Sequence, residues 1–264
     1  MRISMDSLVD DVDAESAEIR RVVAGLDAKQ WEAETPALGW TVVDQVSHLA
    51  HYDELAVLSA TDPEAFARLR ARREAAGEVD PDVIATWYRH LAADELRAWF
   101  ANARGLLLST FRAVDPSLRV PWFGPSMSAA SLLTARLMET WAHGQDILDT
   151  FGNATEPTSR LRHVAHIGIG ARAFSFTVNG LPAPSLPVRV ELEAPDGELW
   201  TWGRADAENR VSGPALDFCL VVTQRRHRDD MALKVVGVEA QQWIAIAQAF
   251  AGKPGAGRAP GQFS

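Results

Sequence analysis

The sequence predicts an α+β protein in two parts, a four-helix bundle followed by a smaller mixed domain. Three observations carry that prediction. Before about residue 150, apolar residues recur at three- and four-residue spacing in four long segments joined by short or moderate connections, the signature of a bundle. After Pro157, Val188, Val190, Leu192 and Ala194 alternate with Arg189, Glu191 and Glu193, the period of a half-buried strand. Between the two patterns lies Gly152-Asn153-Ala154-Thr155-Glu156-Pro157, a run of turn formers. The expected domains are therefore residues 1–153 and 154–252, with a Gly- and Pro-rich flexible tail over 253–264.

The elements follow in order. Residues 5–26 place Leu8, Val9, Val12, Ile19, Val22, Val23 and Leu26 on one stripe, and Ser16 takes the one step where an apolar residue is missing. Acidic residues at its start and Arg20-Arg21 near its end suit the helix dipole. A helical turn around Trp31 and a break at Pro36 and Gly39 precede Gly39-Trp40-Thr41, which opens the second long helix. Thr41 and Asp44 have capping-box spacing, and Val43, Val46, His48, Leu49, His51 and Leu55 continue the helix. The highly charged run 62–76 reads as a solvated helix ended by Gly77 and Pro81, and residues 82–114 read as one long helix. Pro116, Pro121, Gly124 and Pro125 make a loop, after which Ser126 or Ser128 caps the last bundle helix, reaching about Thr150. The second domain reads as a helix over 158–178 and a hairpin about Pro195-Asp196-Gly197. A strand near 209–212, a helix opened by Pro214, a strand over 233–236 and a helix over 240–250 complete it.

Composition narrows the function. With 26 basic and 35 acidic residues the formal net charge is −9, which argues against a nucleic-acid binder. No apolar run approaches a membrane span, and the opening residues 1–6 lack the apolar core of a signal peptide, so a cytoplasmic monomer or homodimer is expected. The single cysteine, Cys219, lies in the apolar run 218–222 and reads as a buried, inert thiol. Thiol chemistry at this protein would have to import its sulfur. Of the nine tryptophans, Trp40, Trp122 and Trp141 lie where they could wall a pocket.

The chemistry concentrates in Arg136 to Asp149. Glu139 and His143 are four residues apart, which on a helix puts both on one face, at a spacing able to hold two corners of a zinc site. An exposed Glu–His pair on a solvated face satisfies the same spacing. Periodicity cannot bring His48, about ninety residues earlier, to them. Asp44, Arg136, Gln145 and Asp146 are close enough in sequence to support such a site or simply to face solvent. His90, His163 and His166 read as structural, although His166 could line an interdomain cleft.

The stretch Gly39-Trp40-Thr41-Val42-Val43-Asp44-Gln45-Val46-Ser47-His48-Leu49 resembles the helix-opening motif of the actinobacterial mycothiol-dependent maleylpyruvate isomerase family, and Arg136 to Asp146 resembles its second metal motif. The resemblance implies a DinB-like metal-binding four-helix bundle over roughly residues 1–150. It implies that His48, Glu139 and His143 are the protein ligands of a divalent metal, usually zinc, and that mycothiol is the thiol co-substrate. The later elements are similar to the sterol-carrier-like domain fused to these bundles, though less closely. There the run 217–226 looks like a helix ending near a functional arginine, so Arg225 or Arg226 could anchor a substrate carboxylate as a catalytic residue. The alternative is that both cap the helix end. Because this domain departs from the isomerase pattern, maleylpyruvate itself is not the expected substrate.

Two imidazoles and one carboxylate leave a tetrahedral position open, the pattern of a catalytic rather than a structural zinc. The expected function is therefore a zinc-dependent transferase or isomerase that activates a small thiol for attack on a small electrophile. A metal-dependent hydrolase using activated water, and a metal-stabilised protein binding an apolar ligand, are the alternatives.

Overall fold

The computed structural model describes residues 4–263, and the chain divides into two compact units, residues 1–155 and 156–264. Residues 1–3 and 264 of the expected domains lie outside the described part. The first unit contains α1 (Met5–Ala24), the short α2 (Ala28–Trp31), α3 (Val42–Thr61), α4 (Pro63–Ala76), α5 (Pro81–Thr86) and α6 (Ala93–Ala113). Two-residue strands β1 (Arg119–Val120) and β2 (Met127–Ser128) pair antiparallel, and α7 (Ala129–Thr150) follows. The long helices α1, α3, α6 and α7 form the bundle, with α3 and α1 each packed on both α6 and α7.

Local sequence sets the helix starts. Ser4 accepts a hydrogen bond from the Ser7 amide at α1, and Ser128, rather than Ser126, accepts from the Ser131 amide at α7. Thr41 and Asp44 close the expected capping box: the Asp44 carboxylate accepts from the Thr41 amide at 2.8 Å, while the Thr41 hydroxyl accepts from the Asp44 amide at 3.4 Å. The α1 stripe of Leu8, Val9, Val12, Ile19 and Val23 is buried as expected.

The single helix expected over 82–114 is broken, and the reason lies in three consecutive side chains. Tyr88 Oη is 2.6 Å from His51 Nδ1, Trp87 sits edge-on to His51, and Arg89 clamps the Asp44 carboxylate and the Gly39 carbonyl. On one continuous helix, neighbouring residues point about 100° apart, so all three could not reach back toward α3 and its start. The chain leaves the helix at Trp87, and the Glu95 carboxylate accepts from the Ala92 amide to start α6.

At the bundle centre, Asp53 of α3 is fully buried between two arginines. Its carboxylate accepts from Arg104 Nε of α6 at 2.6 Å and from Arg136 Nε of α7 at 3.0 Å. Arg104 also donates to Ser16 of α1 and to Thr140 of α7, and Arg136 donates to the Leu49 carbonyl. The polar step in the α1 stripe is thus one corner of a network joining all four long helices.

The second unit opens with α8 (Leu161–Gly170) and α9 (Arg172–Val178) in place of the single helix expected over 158–178. Gly168 lets α8 approach the last turn of α10 (Ala215–Val222); a Cβ there would lie 2.6 Å from Val222 Cγ2. Strands β3 (Val188–Glu193), β4 (Leu199–Trp202), β5 (Asn209–Pro214) and β6 (Lys234–Val236) form a sheet in the order β4-β3-β5-β6. The hairpin pair β3–β4 is antiparallel, β3–β5 parallel and β5–β6 antiparallel. Val190 and Leu192 face the interior, as their alternation requires. The final helix, α11, runs Val238–Ile246. Cys219 is fully buried, its thiol donating to the Leu161 carbonyl at 3.4 Å, and burial pushes its pKa far up. Beyond α11, Gln248 donates to the carbonyls of Phe250 and Gly252, the Gly261 amide donates to Asp230, and Phe263 lies against the Arg226 guanidinium. Among the described residues, no helix is long and apolar enough to cross a membrane.

Two outcomes follow from the buried polar groups of the first unit. Asp53→Ala would leave two buried guanidiniums without a counter-charge and should cost about 3–5 kcal/mol in urea unfolding; a loss near zero would contradict the clamp. His51 is the second case. Its Nε2 accepts from Arg73 at 2.9 Å, and burial, with the Arg73 charge, lowers its pKa to about 3. The unfolded chain protonates His51 near pH 6.5, so stability is full above that pH and falls as pH drops toward 3, at about 1.4 kcal/mol per pH unit for this group. His51→Gln should remove that part of the slope between pH 6.5 and 4.5; an unchanged slope would show that His51 titrates freely in the folded protein.

Candidate metal centre

The site is built by α3 and α7. His48 comes from the second turn of α3, Glu139 and His143 from successive turns of α7, and their ligand atoms all lie within 4.8 Å of one another. Glu139 Oε2 is 3.1 Å from His143 Nε2 and 3.4 Å from His48 Nε2. The two imidazole centroids are 4.4 Å apart. A tetrahedral site with bonds near 2.1 Å separates its ligand atoms by about 3.4 Å, so the donor set and its spacing fit zinc. The solvated-pair alternative does not describe this place. Both histidines are 8% exposed, while the Glu139 side chain keeps 21% exposure, which leaves the cluster open on one side.

The electrostatics suit a cation. Burial and the neighbouring His143 lower the pKa of His48 to about 4, so its imidazole is neutral at physiological pH, with a lone pair to offer. Burial works against ionising Glu139, but the His143 and His48 imidazoles outweigh it and hold the carboxyl well below the usual carboxylate range.

Aromatic rings wall the cluster. Trp40 stacks on His143 with centroids 5.7 Å apart and lies 5.4 Å from the His48 ring; its indole N–H donates to Asp82. Tyr52, one helical turn beyond His48, has its ring 4.4 Å from that imidazole. Of the other two tryptophans expected as walls, Trp122 stacks on Phe66 and sits 6.3 Å from Tyr52, while Trp141 is buried within α7.

Three of the four residues expected to support the site are engaged elsewhere. Asp44 belongs to the α3 cap and to Arg89, Arg136 to Asp53, and Gln145 to Asp149 and Thr155. A side chain that does hydrogen-bond to a member of the cluster is Gln45, whose Oε1 bonds to His143 Nδ1. Sequence reasoning missed it, although it lies three residues before His48 within the quoted motif. In the second unit, Arg225 donates to the Thr223 carbonyl and Arg226 to the Arg225 carbonyl, both in the turn that follows α10.

Comparisons with known proteins agree with this architecture. Residues 12–148 match the family described as mycothiol maleylpyruvate isomerase N-terminal domain, and residues 184–234 match a model described as wyosine base formation. An uncharacterised protein of Mycobacterium tuberculosis, found in two strains, is 46% identical over 252 residues, covering 95% of this chain and 97% of its own length. Crystal structures of the mycothiol-dependent maleylpyruvate isomerase and of a histidine-to-alanine mutant of it superpose with a TM-score of 0.57. They are 19% and 17% identical and cover 89% of this chain and 95% of theirs, a likeness of fold. With the family match spanning the helices that carry both motifs, the chain belongs to the mycothiol maleylpyruvate isomerase N-terminal domain family.

Proposed function

We propose that this protein is a divalent-metal enzyme, zinc being the first choice, that activates a low-molecular-weight thiol for transfer to, or isomerisation of, a small electrophilic substrate. The observation that carries the reading is the convergence of two imidazole nitrogens and one carboxylate oxygen on one point that keeps a solvent-facing side. His48, Glu139 and His143 would hold the cation. Bound there, a divalent ion would lower the pKa of a coordinating thiol and keep the thiolate available near neutral pH.

The chain's own residues supply the rest. With Glu139 ionised and each imidazole offering a lone pair to the cation, the donor set would carry one negative charge, so a dication held there keeps a net attraction for an anionic sulfur. Trp40 and Tyr52 cover the flanks of the histidines and exclude bulk water from them. Cys219 is buried in the second unit and has the wrong environment for a nucleophile. The thiol is therefore a separate molecule. Mycothiol is the natural candidate, because the family and the superposing crystal structures both carry that name. A reducing cytoplasm is the compartment such a reaction needs.

Arg225 and Arg226 donate to the Thr223 and Arg225 carbonyls of the turn after α10, and anchoring of a substrate carboxylate by either is a separate proposal. If either arginine anchors substrate, its replacement by alanine raises KM for a carboxylate-bearing electrophile and not for a neutral one.

Cobalt substitution tests the main reading. Stoichiometric cobalt should bind to the wild type, and His143→Ala or Glu139→Gln should weaken binding by more than about 100-fold, since loss of a ligand exceeds loss of its outer support. Adding mycothiol or a simple thiol should produce a thiolate charge-transfer band. A cobalt-loaded protein whose spectrum ignores thiols would rule out the thiol role and favour activated water.

A further inference from the structure

The polarity of the hydrogen bonds around His143 can be read from one backbone carbonyl. The Trp40 carbonyl oxygen can only accept, and the Thr35 hydroxyl donates its single hydrogen to it at 2.8 Å. Thr35 Oγ1 must then accept from its other neighbour, Gln45 Nε2, at 2.9 Å. That turns the Gln45 amide so that Oε1 faces His143 Nδ1. A carbonyl-type oxygen accepts, so Nδ1 must carry a hydrogen. The reverse polarity would leave the Thr35 and Trp40 oxygens 2.8 Å apart with no hydrogen between them, in a place where Thr35 is 8% exposed and Gln45 fully buried.

We infer that Thr35 and Gln45 form a tautomer lock, with Gln45 a positioning residue that commits the Nε2 lone pair of His143 to the cluster. The consequence reaches Glu139. An imidazole whose hydrogen is fixed on Nδ1 presents an acceptor to an acceptor, 3.1 Å away. Only a positive occupant, a metal ion or an added proton, reconciles the two. A simple neutral His–Glu hydrogen bond, which would serve if His143 were merely structural, is the one arrangement the lock forbids. The same motif therefore does two jobs: its Trp40 ring walls the site, and its Trp40 carbonyl sets the chemistry of a ligand on another helix. The functional consequence rests on the proposed metal reading, whereas the lock itself does not.

The test reads both parts separately. Long-range 1H–15N spectra of the full-length, metal-free protein should show hydrogen on His143 Nδ1 in the wild type. In Thr35→Val, which deletes only the hydroxyl that orients the amide, both tautomers should appear. Cobalt affinity, from chelator competition, should fall about ten- to a hundredfold in Gln45→Leu and return toward wild type in Gln45→Glu, which keeps an acceptor against Nδ1. A purely structural role would instead move the melting temperature and leave the affinity of the folded variants unchanged. Hydrogen on Nε2 alone in the wild type, or equal cobalt affinity in folded wild type and Gln45→Leu, overturns the lock. Should Gln45→Leu fail to fold, a single unchanged tautomer in Thr35→Val overturns it equally. Should the wild type bind no cobalt, the metal reading fails while the spectra still decide the lock.

Discussion

The arrangement of this protein's first unit depends on one buried carboxylate. Asp53 holds Arg104 and Arg136 at once, so the α3 helix is fixed against α6 and α7 through charge-assisted bonds buried from bulk solvent. The same α3 carries His48, and the same α7 carries Glu139 and His143 one and two turns beyond Arg136. A slip of either helix by one residue would turn His48, Glu139 and His143 away from each other and would also break the clamp. Apolar packing alone tolerates such slips better than a forked guanidinium does, since the fork demands its partner at a defined place. Stability and site geometry are thus drawn from one interaction.

Much of the fold was written in local patterns. The capping box at Thr41, the stripe of α1 and the alternation in β3 each depend on neighbours a few residues away, and each appears as expected. Where long-range contacts decide, the sequence was silent. The break at residues 87–92 arises because Trp87, Tyr88 and Arg89 all have business with α3 and its start, and nothing within that segment announces a partner some forty residues upstream. The close crossing at Gly168 depends in the same way on a distant element, α10.

The site shows the same division. Glu139 and His143 declare themselves by helical spacing, whereas His48 joins them only through family resemblance and is then found 3.4 Å from Glu139. Gln45 was hidden for a plain reason. An uncharged amide on a helix has no periodic or charge signature, and its importance depends on a threonine ten residues earlier, beyond a turn. Nearness in sequence put forward Asp44, Arg136, Gln145 and Asp146, while the structure puts Gln45 against His143. Supporting groups of a metal site are selected by hydrogen-bond polarity, which sequence proximity does not reveal.

The sealing of Cys219 has a bearing on how such a protein could coexist with the chemistry proposed for it. A surface cysteine would exchange with the disulfide form of any small thiol present in bulk, and each exchange would add an adduct to the fold. With its sulfur wholly enclosed and its proton firmly retained, this chain offers no partner for that exchange. It can sit in a concentrated thiol pool through swings between reducing and oxidising conditions and form no mixed disulfide through Cys219.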